Sequence, residues 1–412
     1  MLPAVAGKIA DEKLANIGRQ SFEWAHSRMA IVEKIRVKNQ RGQPLAGLRL
    51  GFCLHMTKET SVLVMAAKSL GANIAICSAN PLSAQDDIAA FLYSKGITVY
   101  AWRGETKTEY KQCIKRVLDF RPAIITDDGG DLHIAANKAR TRGILGGTEE
   151  TTTGVKRLAA LDKQGKLAYP IIAVNNARTK YLFDNRHGTG QSTVDGILRA
   201  TDVFLPGKSV VVCGYGWVGR GVAARARGLG AIVTVTEVDP VKALEAKMDG
   251  FEVMKLSEAA PAGDIFVTCT GQIGVIRKEH FAKMKDGAML ANAGHFNVEI
   301  DTHYLYASSR PAKVRPSVER FNINRKKLFL LSEGRVVNLV AAEGHPPEVM
   351  ALSFANQLLS ILYVAKNHSK LEPIVHAVPE KIDNEVARYA LDGMGVRIDA
   401  ITKEQRHYWD SS

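Results

Sequence analysis

Residues 209–219, Ser-Val-Val-Val-Cys-Gly-Tyr-Gly-Trp-Val-Gly, run from a short apolar stretch straight into a glycine-rich turn, and a helical pattern follows to Leu229. Glycines at 214, 216 and 219 permit a tight turn and close backbone approach to a pyrophosphate, which then rests on a helix N-terminus. Glu237 closes the next apolar run, Ile232–Thr236, where an acid is expected to receive the adenosine ribose. Together these features predict a strand–turn–helix dinucleotide site formed by Gly214, Tyr215, Gly216, Trp217, Val218, Gly219 and Glu237. The Glu237 carboxylate would repel a 2′-phosphate, which favours NAD over NADP. Lys242 lies five residues later as a cation within reach of the same site.

Working outward, Ile265–Cys269 and Ala288–Ala291 continue this series of strands, and Leu328–Leu331 fits a sixth. An earlier series reads Leu48–Leu54, Asn73–Cys77, Ile97–Trp102 and Ala123–Thr126, with helical spacing over Thr60–Leu70 between the first two. The fold class expected is α/β, with two doubly wound Rossmann-like domains and a helical C-terminal tail. The division expected is 1–185, completed by 345–378, for a substrate domain, then 186–344 for a cofactor domain and 379–412 for an oligomerisation tail. Residues 11–37, 347–366 and 379–392 carry helical spacing.

The 412 residues are 46% hydrophobic and 24% charged, a globular composition that excludes long disorder. No uninterrupted apolar run reaches membrane-spanning length, and charges at Asp11, Glu12, Lys13, Arg19 and Glu23 argue against a signal peptide. Five scattered cysteines without a CxxC pair suggest reduced thiols in a cytoplasmic protein, with neither a disulfide framework nor a metal site. Net charge is +13, densest over Arg310 to Lys327, but no nucleic-acid motif or interleaved aromatics accompany it, so no nucleic-acid partner is expected.

Polar clusters fall where strands of an α/β unit end: His55–Thr60, Asp127–Asp131, Glu149–Gly154, and Lys180 with Asp184-Asn185. Each has a bland reading. His55 could cap a strand, the Asp pair could form a turn, and Glu149-Glu150 could be a solvated first helical turn. The three hydroxyls of Thr151, Thr152 and Thr153, with the helix amides, could equally hold phosphate or ribose.

Taken together, HMTKET at 55–60, NPLSAQDD at 80–87, DDGGD at 127–131, EETTTG at 149–154, TKYLFDN at 179–185, GYGWVG at 214–219, NAGHFNVEID at 292–301 and EGRVVNL at 333–339 resemble the S-adenosylhomocysteine hydrolase family in the same order, over nearly the whole chain. The resemblance implies reversible hydrolysis of S-adenosyl-L-homocysteine to adenosine and L-homocysteine. One NAD per subunit would oxidise the ribose at C3′, the acidified C4′ proton would leave, the 5′-thiolate would be eliminated, water would add, and the ketone would be reduced again.

By that resemblance Lys180, paired with Asp184, is the candidate base at the 3′-hydroxyl, its pKa lowered by desolvation. Glu150 would hold the ribose hydroxyls. His55 and Asp128 would serve C4′ and C5′, with the division between them open. Asn185 and His295 would border the nicotinamide, with Ala293 and Gly294 beside them and Asn338 at the carboxamide. Thr57 and Glu59 belong to the purine pocket, His345 to the hinge and purine edge, and Thr151, Thr152 and Thr153 to the cofactor contact across the cleft. A homotetramer is implied.

Three departures resemble the archaeal and thermophilic-bacterial branch of the family. Thr189 stands where the animal form has a cysteine, Glu343 where it has an apolar residue beside the purine, and the chain ends soon after Trp409. The longer family tail carries a lysine and a tyrosine to the neighbouring subunit's cofactor, so looser NAD binding is expected. Some members of the branch prefer S-inosylhomocysteine. Glu59 can accept from an exocyclic amine that inosine lacks, which favours adenosine. A hydroxy-acid dehydrogenase would explain GYGWVG but not EETTTG or NAGHF. A non-catalytic relative should have lost some of His55, Asp128, Glu150, Lys180, Asp184, Asn185 and His295.

Overall fold

The computed structural model describes residues 7–411. Its first sheet contains β1 (Arg49–Leu54), β2 (Asn73–Ser78), β3 (Thr98–Tyr100), β4 (Ile124–Asp127), β5 (Gly146–Glu149) and β6 (Ile171–Ala173). The second contains β7 (Ser209–Cys213), β8 (Ile232–Thr236), β9 (Glu252–Val253), β10 (Ile265–Thr268), β11 (Met289–Asn292), β12 (Ala312–Arg315), β13 (Val318–Ile323) and β14 (Lys326–Leu331). β15 (Val375–Ala377) returns to the first sheet beside β6.

The first sheet is parallel throughout, in the order β15-β6-β5-β4-β1-β2-β3. Its strand order reverses between β1 and β4. The second sheet repeats the plan with its reversal between β7 and β10. A doubly wound sheet opens a crevice at this point, because the helices that follow the two central strands lie on opposite faces. Central strands such as β4 and β10 are buried at every position, which explains why they open on apolar runs, Ile124-Ile125 and Ile265-Phe266-Val267, before their polar ends.

The second sheet is mixed rather than wholly parallel. β12, β13 and β14 form an antiparallel meander, and Asn324 and Arg325 adopt left-handed φ values of 49° and 64° in the last turn. The basic stretch from Arg310 is therefore largely a sheet edge. β5 and β6 went unforeseen because Gly146-Gly147 reads as a turn. A Cβ on Gly146 would lie 2.7 Å from Val364, and one on Gly147 would enter the His133 ring, so packing requires glycine there. The expected helix over 11–37 is two, Ala15–Arg28 and Ala30–Gln40, broken at the buried Met29, where the backbone leaves the helical region (φ −108°, ψ 44°).

The helix Pro347–Asn367 is long and apolar enough to cross a membrane by length and composition alone. Here it is a core element. Leu352, Phe354, Leu358, Ile361 and Val364 join the cluster formed by Ile35, Phe52, Leu54 and Leu63. Helix Glu380–Gly393 buries Ile382 and Val386, and Asp383 accepts from the amides of Arg178 and Thr179 at 2.7 and 2.8 Å. It therefore packs with the first sheet, across the expected break at 379, and an unbroken exposed run begins only at Asp392.

Candidate active site

The two switch points face one another across a cavity of about 1190 Å³. On the first-sheet side the loops after β1, β4 and β5 deliver His55, Asp128 and Glu150. Lys180 arrives differently. It precedes a π-helical segment, Tyr181–Gly188, whose i→i+5 bonding widens the turn so that residues four and five ahead both overhang it. Its Nζ lies 3.2 Å from Asp184 Oδ1, 2.7 Å from Asn185 Oδ1 and 3.4 Å from Glu150 Oε1.

Burial opposes the charge on Lys180, but Asp184, Glu150 and Asp128 outweigh it, and its pKa stands above the ordinary lysine value. This corrects the expectation of a lowered pKa, since desolvation acts in company with three carboxylates. Burial lifts Glu150 to about 7 against the pull of Lys180. Asp128 is raised by burial, with His295 and Lys180 opposing. Asp184 is held low; Lys180 and His345 overcome its burial. The reading of Glu149-Glu150 as a solvated first turn fails, because both are buried.

His55 Nδ1 lies 2.6 Å from Ser83 Oγ, and its Nε2 lies 3.8 Å from Asp128 Oδ1. His295 reaches the same oxygen from the second sheet, with Nδ1 at 3.5 Å. Gly129, at φ +104°, lets it approach, since a Cβ there would occupy the imidazole. Burial lowers His55 to about 3 and His295 to about 4, so both rings are neutral at pH 7. His345 sits by Asp184 (Nδ1 to Oδ1, 3.5 Å) and Thr189 (Nε2 to Oγ1, 3.1 Å), nearer the lysine cluster than a purine edge alone. Thr57 caps the helix Lys58–Ser69 and, with Glu59, lines the cavity.

The second-sheet half is built from backbone. Gly214 takes φ +102°, and a Cβ on Gly216 would meet nothing within 4 Å, leaving the main chain bare to the cavity. Glu237 accepts from the amides of Tyr215 (2.7 Å), Val238 (2.7 Å) and Asp239 (3.1 Å), and lines the cavity with Trp217, Val218, Ala293, Gly294 and Lys242. Lys242 pairs with Asp239 at 3.1 Å. Two expected cofactor residues do not line it. Tyr215 is buried against Phe251, with its hydroxyl donating to Asp249 at 2.6 Å. Gly219 serves packing, because a Cβ would strike the Gly214 carbonyl.

Among the threonines, the Thr151 hydroxyl is consumed as a helix cap, accepting from Gly154 N and donating to Glu149, each within 3.0 Å. Thr152 donates to Asn175 Oδ1 at 3.2 Å, while Thr153 faces the Gly271 loop across the cleft. Asn338 Oδ1 is buried without a hydrogen-bond partner among the described residues, and its amide donates to Ser192 at 3.1 Å. A bare glycine turn, an acid at the ribose position and an orphaned amide oxygen suit a dinucleotide carrying a carboxamide.

A family model described as "S-adenosyl-L-homocysteine hydrolase, NAD binding domain" matches residues 185–344, and one described as "S-adenosyl-L-homocysteine hydrolase" matches 6–143. The adenosylhomocysteinase of Sulfurisphaera tokodaii is 56% identical over 405 residues, 97% of each chain. The chain belongs to the S-adenosyl-L-homocysteine hydrolase family. The adenosylhomocysteinase of Saccharolobus solfataricus is 53% identical over 97% of each chain. The S-inosyl-L-homocysteine hydrolase of Methanocaldococcus jannaschii is 51% identical over 97% of this chain and 98% of its own. This member of the family is an enzyme that uses NAD as its cofactor.

In this hydrolase several site residues escaped the sequence reading. Gln357 donates to Glu150 Oε2 at 2.6 Å and Ser353 to Asp184 Oδ2 at 2.7 Å. Ser353, Asn356, Gln357 and Ser360 are all fully buried on an otherwise apolar helix, a polar stripe that could have been noticed. Asn175 accepts from Asn185 at 3.0 Å. Glu299 gathers the amides of Thr270 and Gly271 at 2.8 and 2.9 Å and so braces the cofactor side. Glu343 does not line the cavity. It sits at the rim with its side chain largely exposed, joining Lys58 at 2.8 Å to Arg199 at 3.3 Å across the two halves.

Proposed function

We propose that this hydrolase reversibly converts S-adenosyl-L-homocysteine to adenosine and L-homocysteine. The observation that carries the reading is a set of buried oxygens facing one cavity: Asp128 Oδ1 and Asn338 Oδ1, without hydrogen-bond partners among the described residues, and Glu59 Oε1 and Glu150 Oε1, each met only by a lysine ammonium, Lys58 at 3.3 Å and Lys180 at 3.4 Å. A ligand rich in donors, such as an aminopurine ribonucleoside beside a nicotinamide, would satisfy them.

Bound NAD supplies reversible oxidation at the ribose C3′. Gly214, Gly216, Glu237 and Asn338 would hold it, with Thr153 closing from the opposite side. Lys180, Glu150 and Asp184 receive the 3′-hydroxyl proton as one cluster, and the lysine charge stabilises the developing alkoxide. Asp128 lies between this cluster and His55, coupled to Lys180 in charge and 3.8 Å from His55. That order, Lys180 then Asp128 then His55, follows C3′, C4′ and C5′. Asp128 therefore takes the C4′ proton, and His55 manages the proton at C5′. His295, seated on Gly129, excludes water from the ketone side.

Among the described residues the substrate body spans 7–185 with 345–393, and the cofactor body 186–344. The exposed tail, with Met394 and Ile398 uncovered, supports assembly into a homotetramer, to be read by light scattering. A cytoplasmic location agrees with the free thiols of all five cysteines.

A second reading keeps the mechanism with S-inosyl-L-homocysteine. Burial raises the Glu59 carboxyl, and its protonated form donates to a 6-oxo group as readily as its ionised form accepts from a 6-amine. Purified enzyme with NAD and homocysteine, given adenosine or inosine, tests both. Thioether from adenosine without net NADH supports the first reading, thioether mainly from inosine supports the second, and none from either overturns both.

A further inference from the structure

The turn Asn80-Pro-Leu-Ser-Ala-Gln85 braces both sides of His55. Gln85 donates its amide to the Met56 carbonyl at 2.9 Å, and its side-chain oxygen accepts from Lys58 N at 3.1 Å. Asn80 Oδ1 accepts from Leu82 N at 2.9 Å, and its carbonyl accepts from Ser83 N at 3.2 Å, which shapes the turn. Ser83, only 2% exposed, then sits with Oγ 2.6 Å from His55 Nδ1 and 3.1 Å from the Asn80 carbonyl.

One hydroxyl proton is available to serve these two neighbours. The Asn80 carbonyl can only accept, and it gathers Ser78 Oγ at 2.9 Å, Ser83 N and Ser83 Oγ; with the Ser83 O–H donated there, Oγ is left to accept from His55 Nδ1–H. The ring nitrogen left without a proton is Nε2, the one turned towards Asp128 and the cavity. A histidine's tautomer is set by the bond its other nitrogen makes.

We infer that Ser83 is a positioning residue that holds His55 as the Nδ1–H tautomer, presenting the Nε2 lone pair to the water that adds at C5′. This rests on the proposed hydrolase reading and deepens it. In the hydrolytic direction the C5′–O bond forms as one O–H bond of water breaks. That proton passes to Nε2, and the C4′=C5′ electron pair moves to the 3′-carbonyl oxygen as an enolate. The synthetic direction runs the same step backwards, with protonated Nε2 returning its proton to the departing hydroxyl.

The test uses the NAD-loaded enzyme and Ser83→Ala, with Ser83→Thr as the hydroxyl-keeping control. Adenosine alone reports 3′-oxidation through NADH absorbance, and 4′,5′-dehydroadenosine reports water addition. Ser83→Ala should lose about 10–100-fold in hydration while NADH formation changes by less than about threefold, and Ser83→Thr should recover most of the loss. Nitrogen-15 spectra of labelled histidine, assigned with His55→Asn, should show Nδ1 protonated in the parent enzyme and that pattern lost in Ser83→Ala. Equal losses in both half-reactions, unchanged hydration, or an Nε2–H signal in the parent enzyme would overturn the inference alone. Absence of NADH with adenosine in the parent enzyme would instead overturn the functional reading, and this inference with it.

Discussion

Around the reversal point of the first sheet stand Lys180, Glu150, Asp184 and Asp128, ionisable side chains almost wholly removed from water. Around that of the second sheet stand bare glycine main chain, helix amides, Asn338 and a Glu237 already occupied by three amides. The strand order is the same, but the polar equipment is opposite. Buried titratable groups have protons to exchange and pKa values open to tuning by burial and neighbours. Fixed peptide dipoles have neither, and serve to hold a charged ligand without competing for its protons. The first half is suited to moving protons and the second to holding the cofactor still.

The sharpest break between the halves should come from Lys180→Ala. It leaves Asp184 and Glu150 facing each other without their cation, and turnover should fall about 10³-fold while NAD still co-purifies. Turnover within tenfold of the parent enzyme would remove Lys180 from the proton-moving cluster. Gly219→Ala should do the reverse. Its Cβ enters the Gly214 carbonyl, so NAD content and melting temperature should drop together, with a stability loss of about 2–4 kcal/mol. Retained NAD with a normal melt would show that the turn can shift.

Gln357→Ala strips one donor from a buried carboxylate, which typically costs about 1.5–3 kcal/mol. It should lower kcat/KM about tenfold or more without changing NAD affinity. An unchanged kcat/KM would place Gln357 outside the ribose site. The smallest effect is a slope. With its folded pKa at about 7, Glu150 is ionised above that pH and gains a proton below it. As pH falls through 7 the ribose hydroxyls lose their acceptor, so kcat/KM should decline on the acid side and Glu150→Gln should flatten that limb. NAD affinity over the same range should stay nearly level, and a parallel fall would blur the distinction between the halves.

Much of this was legible before any fold was known. Gly214-Tyr-Gly-Trp-Val-Gly219 sits at its strand–helix junction as read, and nearly all the predicted site residues line one cavity. The exceptions have local reasons. Tyr215 turns its ring into the core and Gly219 is needed for packing, while Thr151 lines the cavity with its hydroxyl spent on a helix cap. β5 hid behind a glycine pair whose need for glycine comes from His133 and Val364, the latter more than two hundred residues away. Gln357 and Ser353 stand in a legible polar stripe, but a polar residue in an apolar helix shows its partner only when the helix is docked.

By itself the order of residues determined the two series of strands, their glycine turns and the set of side chains brought to the strand ends. Those signals act over a few neighbouring residues, through steric limits on φ and ψ and through apolar periodicity. Tertiary structure alone decided the protonation of those side chains. Lys180 keeps its charge because three carboxylates from separate elements surround it, and His55 is neutral because it is buried. Burial and charge proximity depend on distances across the folded chain, and no local stretch of sequence contains them.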